Sequence, residues 1–389
     1  MKKSYKVFWT VVAALVGVGT ILTGVGLLIG ARTHVNWNKT GLHAVDSVYE
    51  TLTEPELPAF TSVEVRASIA DIIFVQESGS DRGLTIHYEK NYAEPTWTVE
   101  NGVLIVDMND KERGWQIINF DFGFLTGDYL NKQKITICLP RGIELDKVDI
   151  HAKDGDIEMG SFTAKDLRVE SSYGHVNLSE IVGDNLAMKL SSGNVKLKNV
   201  QIKETTMENR YGNIVAEDVS GESMKMDFSS GNIKMKNVQM GETTIENRYG
   251  NLTAENMTGK SFVADMSSGD MNFDDCKLER IDIKNAYGNI AGKRLGVQDI
   301  DINAKSGDVR LEGDIEGNLA LDCSYGNIII ETTAPKANFT GTIATRYGNV
   351  MVDGKSYHDS MELENEEAPN KMKIKTSSGN IKISFEGKW

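Results

Sequence analysis

The chain has 389 residues, 40% of them hydrophobic and 25% charged, with a formal charge of −14 at pH 7. That is ample material for a sizeable core, and an acidic balance with no offsetting basic block excludes a nucleic-acid partner. Cys138, Cys276 and Cys323 are an odd, sparse set without a CxxC or Cys/His cluster, so they read as small buried fillers, with no metal or cofactor implied.

The chain opens MKKSYK and then runs from Val7 to Ala31 without a charge. As a helix this run would be roughly 37 Å long, enough to cross about 30 Å of hydrocarbon. Lys2, Lys3 and Lys6 precede it, which places the N-terminus in the cytoplasm and the rest outside. The run is long for a cleaved secretory signal, and no Ala-x-Ala site ends it. Residues 1–31 are therefore expected to form a cytoplasmic tip and transmembrane anchor. The polar residues 32–59, ending Glu54-Pro55-Glu56-Leu57-Pro58, read as a juxtamembrane stalk.

Residues 60–149 carry strand signals at Val63 onward, Leu84 to Tyr88, Val103 to Met108 and Ile135 to Leu139. They read as irregular first windings of the architecture that follows, with a small separate β-domain as the alternative. Between two of these strands lies Gly114 to Leu130, with Trp115, Phe120, Phe122, Phe124 and Tyr129. Aromatics at that density are expected to cap the open apolar end of a repeat array, or else to meet membrane or a partner.

From residue 150 a short phrase returns at a fixed interval. Glycine followed by Asn, Asp or His and then an aliphatic residue occurs every 19 residues from Gly155 to Gly326, without insertion. The preceding residue alternates Tyr173, Ser192, Tyr211, Ser230, Tyr249, Ser268, Tyr287, Ser306, Tyr325, so the larger unit is 38 residues. Apolar residues alternate on both sides of the glycine, as in Leu186, Met188, Leu190 and Val195, Leu197. Period two predicts two short strands per unit with one face buried, and a second bend near Val219 to Ser223. An antiparallel meander would leave that face uncovered, since no amphipathic helix is available. A parallel β-solenoid of about 19 residues per coil closes the face on itself and stacks successive windings about 4.8 Å apart. The outward residues Lys198, Glu217, Lys236, Glu255, Asp274, Lys293, Glu312 and Glu331 then form one column, mostly with opposite signs adjacent, each such pair worth roughly 0.2–1 kcal/mol. After Gly326 the rhythm loosens, to Gly348 and Gly379, with an acidic loop expected over Ser356 to Asn370 and Trp389 near the far end. The regular repeats are taken to span 150–389.

The N-terminal anchor, a β segment ending Ile137-Cys138-Leu139-Pro140, and recurring Ser-Gly-Asn-Ile and Tyr-Gly-Asn-Ile turns resemble a bacterial β-strand-repeat family of adhesin-like domains of uncharacterised function. The resemblance spans residues 60–389. It implies a membrane-anchored, adhesin-like protein, some members resembling membrane proteins encoded beside cell-envelope stress systems, and it implies no catalytic residue.

The residues themselves point the same way. Asp154, Asp156 and Glu158, and Asp270, Asp274 and Asp275, are acidic groups on turns and outward faces, whereas a glycosidase needs two carboxyls facing across a cleft. His151 and His175 have no partnering motif, and the turns lack the calcium-binding nonapeptide of other solenoids. Stacking would align Tyr173, Tyr211, Tyr249, Tyr287 and Tyr325 along one edge about 9.6 Å apart, with Arg210, Arg248 and Arg346 beside three Tyr-Gly-Asn turns. Two readings stand: a linear platform for a glycan or polypeptide, or tyrosines that only roof the neighbouring serines while Asn209, Asn247 and Asn285 bond corner backbone. The expectation is a non-enzymatic extracytoplasmic adhesin or surface interaction module with a cell-wall glycan or surface protein as partner. A cell-envelope stress accessory protein is the alternative, and a carbohydrate-active β-helix enzyme a distant one.

Overall fold

The structure, a computed structural model, describes residues 2–28, 34–38, 41–44, 48–77, 81–90, 93–109, 118–121 and 133–387. It divides into two units. The first comprises Met1–Thr51, His87–Glu94 and Asp110–Gln133, and the second comprises Leu52–Ile86, Pro95–Asn109 and Lys134–Trp389.

Among the described residues the first unit contains one α-helix, Lys2–Leu28, with Phe8, Trp9, Val11, Leu15, Ile21 and Val25 among its exposed apolar side chains. Among the described residues, no helix is long and apolar enough to cross a membrane. The segment expected as a stalk includes strands. His34–Asn38 pairs antiparallel with Gly41–Ala44 on one side and Ile118–Asp121 on the other. Of the aromatic segment 114–130 only Ile118–Asp121 is described. Trp115, Phe122, Phe124 and Tyr129, and the expected cap they form, lie outside the described residues, as does Trp389.

The second unit is a parallel β-solenoid. Val176–Ser192, Val195–Tyr211, Ile214–Ser230, Ile233–Tyr249 and Leu252–Ser268 are successive windings, paired in parallel at a constant step of 19 residues, Val176 to Val195 to Ile214 to Ile233 to Leu252. Leu186 and Met226 are 2% and 0% exposed, so the inward period-two face is the core. The antiparallel meander is excluded for these windings.

Each winding is one 17-residue strand where the alternation predicted two. The reason is the bend six residues after the glycine, where Glu180, Asn199, Asp218, Asn237 and Asn256 have φ between 52° and 55°. A single left-handed residue turns the chain, and because every winding turns at the same place, the ladder continues through the bend. At the corner glycines the constraint is steric. Gly250 has φ +137°, and a Cβ there would lie 2.1 Å from the Gly231 carbonyl oxygen of the winding below.

Packing adds a second reason for the 38-residue unit beside the charge column. Nine residues after each corner the windings read Gly183, Ile202, Gly221, Met240, Gly259, Leu278. Ile202, Met240 and Leu278 are buried, and a Cβ on Gly221 would sit 2.0 Å from the Ile202 carbonyl and 3.1 Å from the Met240 methyl. A large side chain in one winding fills the space that glycine leaves in the next, which keeps the core dense. In the charge column the register pairs Lys198 with Glu217 and Glu217 with Lys236, while ion pairs run diagonally, as in Lys234–Glu255 at 3.7 Å.

Both ends depart from chain order. Ser62–Ile69 lies between Val103–Met108 and Glu144–Asp154, parallel to both. Asp71–Glu77 likewise pairs with Lys134–Pro140 and with the start of Ile157–Tyr173. At the other end Asn370–Ser378 inserts between Leu319–Tyr325 and Phe339–Tyr347, and Ile381–Ser384 between Ile328–Thr332 and Val350–Val352. Antiparallel strands then lie on the outermost windings: Thr96–Glu100 on Val103–Met108, and Ser360–Leu363 on Phe339–Tyr347. The segment expected as an acidic loop thus supplies short strands, Lys355–Tyr357 and Ser360–Leu363, that cover an edge.

Two outcomes follow. Gly250→Ala should cost about 3 kcal/mol or more, because both φ and backbone space are incompatible with a side chain; a denaturation midpoint within error of the parent contradicts this stacking. A chain ending at Pro369 leaves Leu319–Tyr325 and Phe339–Tyr347 without the strand between them, so limited proteolysis should cut first within 326–369, and an unchanged cleavage pattern opposes the inserted order.

Candidate functional site

The turn phrase has a backbone cause. The residue after each corner glycine uses its side chain to accept the backbone N–H of its counterpart one winding on. Asn213 N–H donates to Asn194 Oδ1 at 2.8 Å, Asn232 N–H to Asn213 Oδ1 at 2.9 Å and Asn251 N–H to Asn232 Oδ1 at 2.9 Å. Asp270 and Asp308 take the same place, and so does His175, whose Nδ1 accepts Asn194 N–H at 3.0 Å. Only side chains with an acceptor at that reach serve, which is why Asn, Asp and His alone occupy the position. The ladder continues in spatial order, from Asn327 to Asn380 to Asn349.

One residue before each glycine lies the tyrosine row. Tyr173, Tyr211, Tyr249, Tyr287 and Tyr325 are 61–66% exposed, each in register with serines of the adjoining windings. A sixth member, Tyr347, is 67% exposed. In sequence it follows Tyr325 with no serine between, but Ser378 of the inserted winding pairs with both Tyr325 and Tyr347. The alternation therefore holds in space where it fails in sequence. Chain-order reading missed Tyr347 and Ser378; the signal was the Ser-Gly-Asn phrase returning last, after two Tyr-Gly-Asn phrases in succession.

The neighbours divide into structural and solvent-facing groups. Asn209, Asn247 and Asn285 are buried, and their Nδ2 groups donate to the carbonyls of Gly193, Gly231 and Gly269 at 2.9–3.1 Å. They hold the corner in place. Arg210, Arg248 and Arg346 are exposed beside their tyrosines. Arg248 donates to Ser229 Oγ at 3.2 Å, and the Arg346 guanidinium lies 5.4 Å from the Tyr347 ring centre. Four residues before the corner, Glu208, Asp227, Glu246 and Asp265 stack in register as an acidic column on the sheet face.

Three of the acidic groups weighed for catalysis are otherwise engaged. Asp156 Oδ1 accepts His175 N–H at 2.8 Å, Asp270 Oδ1 accepts Asn289 N–H at 2.7 Å, and Asp274 pairs with Arg294. Asp154 and Glu158 are exposed, and Asp275 is the left-handed bend residue of its winding. His151 lies between Asp149 and Glu170, at 3.0 and 3.1 Å, and the Arg168 guanidinium holds the Glu170 carboxyl below the usual range. Among the described residues no group of three or more His, Cys, Asp and Glu is placed to hold a metal ion. Cys276 and Cys323 are buried and Cys138 is half-buried. Burial raises both buried thiols, Cys323 to about 12, with Asp322 adding to the rise.

The geometry defines a class: a parallel β-solenoid of 19-residue windings with a ladder of corner side chains and an exposed tyrosine row. The chain belongs to the Toastrack DUF4097 family, whose model matches residues 60–240 and 222–384. This agrees with the repeat family expected from the turn phrase. No curated protein matches the chain. Among solved structures, a "putative adhesin" from Parabacteroides distasonis ATCC 8503 overlaps with a TM-score of 0.40 at 13% identity, covering 66% of this chain and 98% of its own. A "putative lipid binding protein" from the same organism overlaps at 0.38 and 16%, covering 72% and 94%. A "putative adhesin" from Bacteroides fragilis NCTC 9343 overlaps at 0.34 and 14%, covering 67% and 98%.

The thiols give a direct check. With Cys323 at about 12, roughly one molecule in ten thousand carries its thiolate at pH 8. Iodoacetamide should therefore leave Cys276 and Cys323 unmodified in the native protein at pH 8 and alkylate both in denaturant; rapid native labelling of either contradicts the buried placement.

Proposed function

We propose that this protein is a non-enzymatic, membrane-anchored surface interaction module, held outside the cytoplasm by the uncharged N-terminal residues 7–31 and making contact through the tyrosine row. The observation that carries the reading is six exposed tyrosines at a constant two-winding interval. Burying one tyrosine ring against a partner is worth on the order of 1 kcal/mol beyond its area, so a row gains strength from several weak contacts. Roofing a serine does not require so much of each tyrosine to stay in solvent.

Anchoring is supported by the uncharged residues 7–31 and by Lys2, Lys3 and Lys6 before them. The non-enzymatic reading is supported by the engagement of Asp156, Asp270 and Asp274 in ladder bonds and ion pairs, and by the lowered Glu170 carboxyl, the opposite of what a general acid needs.

The test is retention of the intact protein on isolated cell-wall and envelope fractions. The double variant Tyr211→Ala/Tyr249→Ala should lose at least about tenfold in retention while keeping its thermal midpoint, because both rings are exposed. Retention equal to the parent contradicts the contact edge, and favours instead an envelope-stress role acting through residues 32–130.

A further inference from the structure

We infer that the tyrosine edge takes an extended, β-1,4-linked glycan bearing carboxylates, one tyrosine for each disaccharide; this rests on the contact-edge reading above and names its ligand. The first argument is the step. Windings in register lie about 4.8 Å apart, so tyrosines in every second winding recur at about 9.6 Å. In an extended β-1,4-linked chain of hexopyranoses each ring is turned over relative to the last, so the same face returns at every second sugar. That step is close to two windings. An aromatic ring packs against the C–H face of one sugar, and the serine between two tyrosines leaves room and a hydroxyl for the inverted sugar.

The second argument is that the step is kept where the chain order would break it. Ser378 is placed between Tyr325 and Tyr347 by the inserted C-terminal winding, so the row runs to six at one spacing. A ladder that only had to shed solvent gains nothing from this regularity; a periodic ligand does.

The third argument is charge. Arg210 and Arg248 directly precede consecutive tyrosines of the row and Arg346 precedes the last, all exposed, with Lys305 beside Ser306. The guanidinium groups of Arg210 and Arg248, one tyrosine step apart, match carboxylates recurring on the sugar. The acidic column Glu208, Asp227, Glu246 and Asp265 lies two residues inward of the arginine positions and in register along the same windings. Over these four windings, bounded in the same column by Lys189 and Lys284, it repels an anionic chain from the sheet face and favours the tyrosine edge. An extended polypeptide strand repeats at about 6.6–6.8 Å and does not fit. A polyproline helix, at about 9.3 Å per turn, fits the step but carries no anion for the arginines.

The test uses the full chain in detergent micelles and oligomannuronates of four, six, eight and ten sugars, which are β-1,4-linked with one carboxylate per sugar, titrated by calorimetry. Affinity should rise roughly three- to tenfold with each added disaccharide. Tyr211→Ala and Tyr249→Ala should each remove about one such step, and Arg248→Ala should weaken binding and flatten its salt dependence. Oligoguluronate, α-1,4-linked, should bind no tighter at ten sugars than at four. Length-independent or tyrosine-independent binding overturns the inference, as does tyrosine-dependent binding of a proline decamer with none of oligomannuronate. Loss of wall retention in Tyr211→Ala/Tyr249→Ala without oligomannuronate binding overturns the ligand class alone; retention unchanged in that variant overturns the contact edge itself.

Discussion

A backbone constraint underlies everything else: each winding is bonded to the next in register, and at the corners from Gly174 to Gly326 one glycine rests on the carbonyl of the glycine below. Gly193 N–H donates to the Tyr211 carbonyl at 2.9 Å and Gly231 N–H to the Tyr249 carbonyl at 2.9 Å. With a Cβ excluded by about 2 Å at each corner, no winding can shift by a residue without placing a side chain where backbone must lie. Such a slip would also turn the core side chains outward. The absence of insertions from Gly155 to Gly326 is the sequence record of that constraint. Columns of like residues follow from it directly: acceptors after the glycine, tyrosine and serine before it, and glycine against large apolar residues nine positions on.

The out-of-order ends answer a problem that every stacked sheet has. A last winding exposes a row of unpaired backbone groups and an open core. Here the terminal winding is placed one level inside the outermost winding, and the outermost winding carries a short strand folded back antiparallel upon it, Ser360–Leu363 on Phe339–Tyr347 at one end and Thr96–Glu100 on Val103–Met108 at the other. The outer strands are short, and Ser360–Leu363 adjoins the acidic 364–367, which disfavours further stacking. The same insertion extends the tyrosine row, so the device that closes the sheet also lengthens the proposed contact edge.

Much of this was legible in the sequence because its cause is local and repeated. The 19-residue step, the burial of Leu186 and Met226 and the parallel register all follow from alternation about a glycine corner. The strand count per winding was not legible, since a single left-handed residue such as Asp218 bends a strand without the glycine or proline that usually marks a break. The acceptor role of Asn194 and Asn213 was hidden as well: a turn asparagine looks alike whether it bonds its own turn or the next winding. Spatial order at the ends could not be read at all, because pairing between Asn370–Ser378 and Leu319–Tyr325 is a long-range choice that local pattern does not encode. The strands within 34–44 were not legible either, because two short strands in a polar stretch become a sheet only when 118–121 joins them.

The most direct measurement is cross-linking along the tyrosine row at the inserted winding. Adjacent windings bring Cα atoms to about 4.8 Å, within disulfide reach, while a two-winding separation of about 9.6 Å lies outside it. Under mild oxidation Tyr325→Cys/Ser378→Cys should form a disulfide, and Tyr325→Cys/Tyr347→Cys should not. The reverse pattern would mean that the windings stack in chain order, and the in-register column on which both fold and contact edge depend would be wrong.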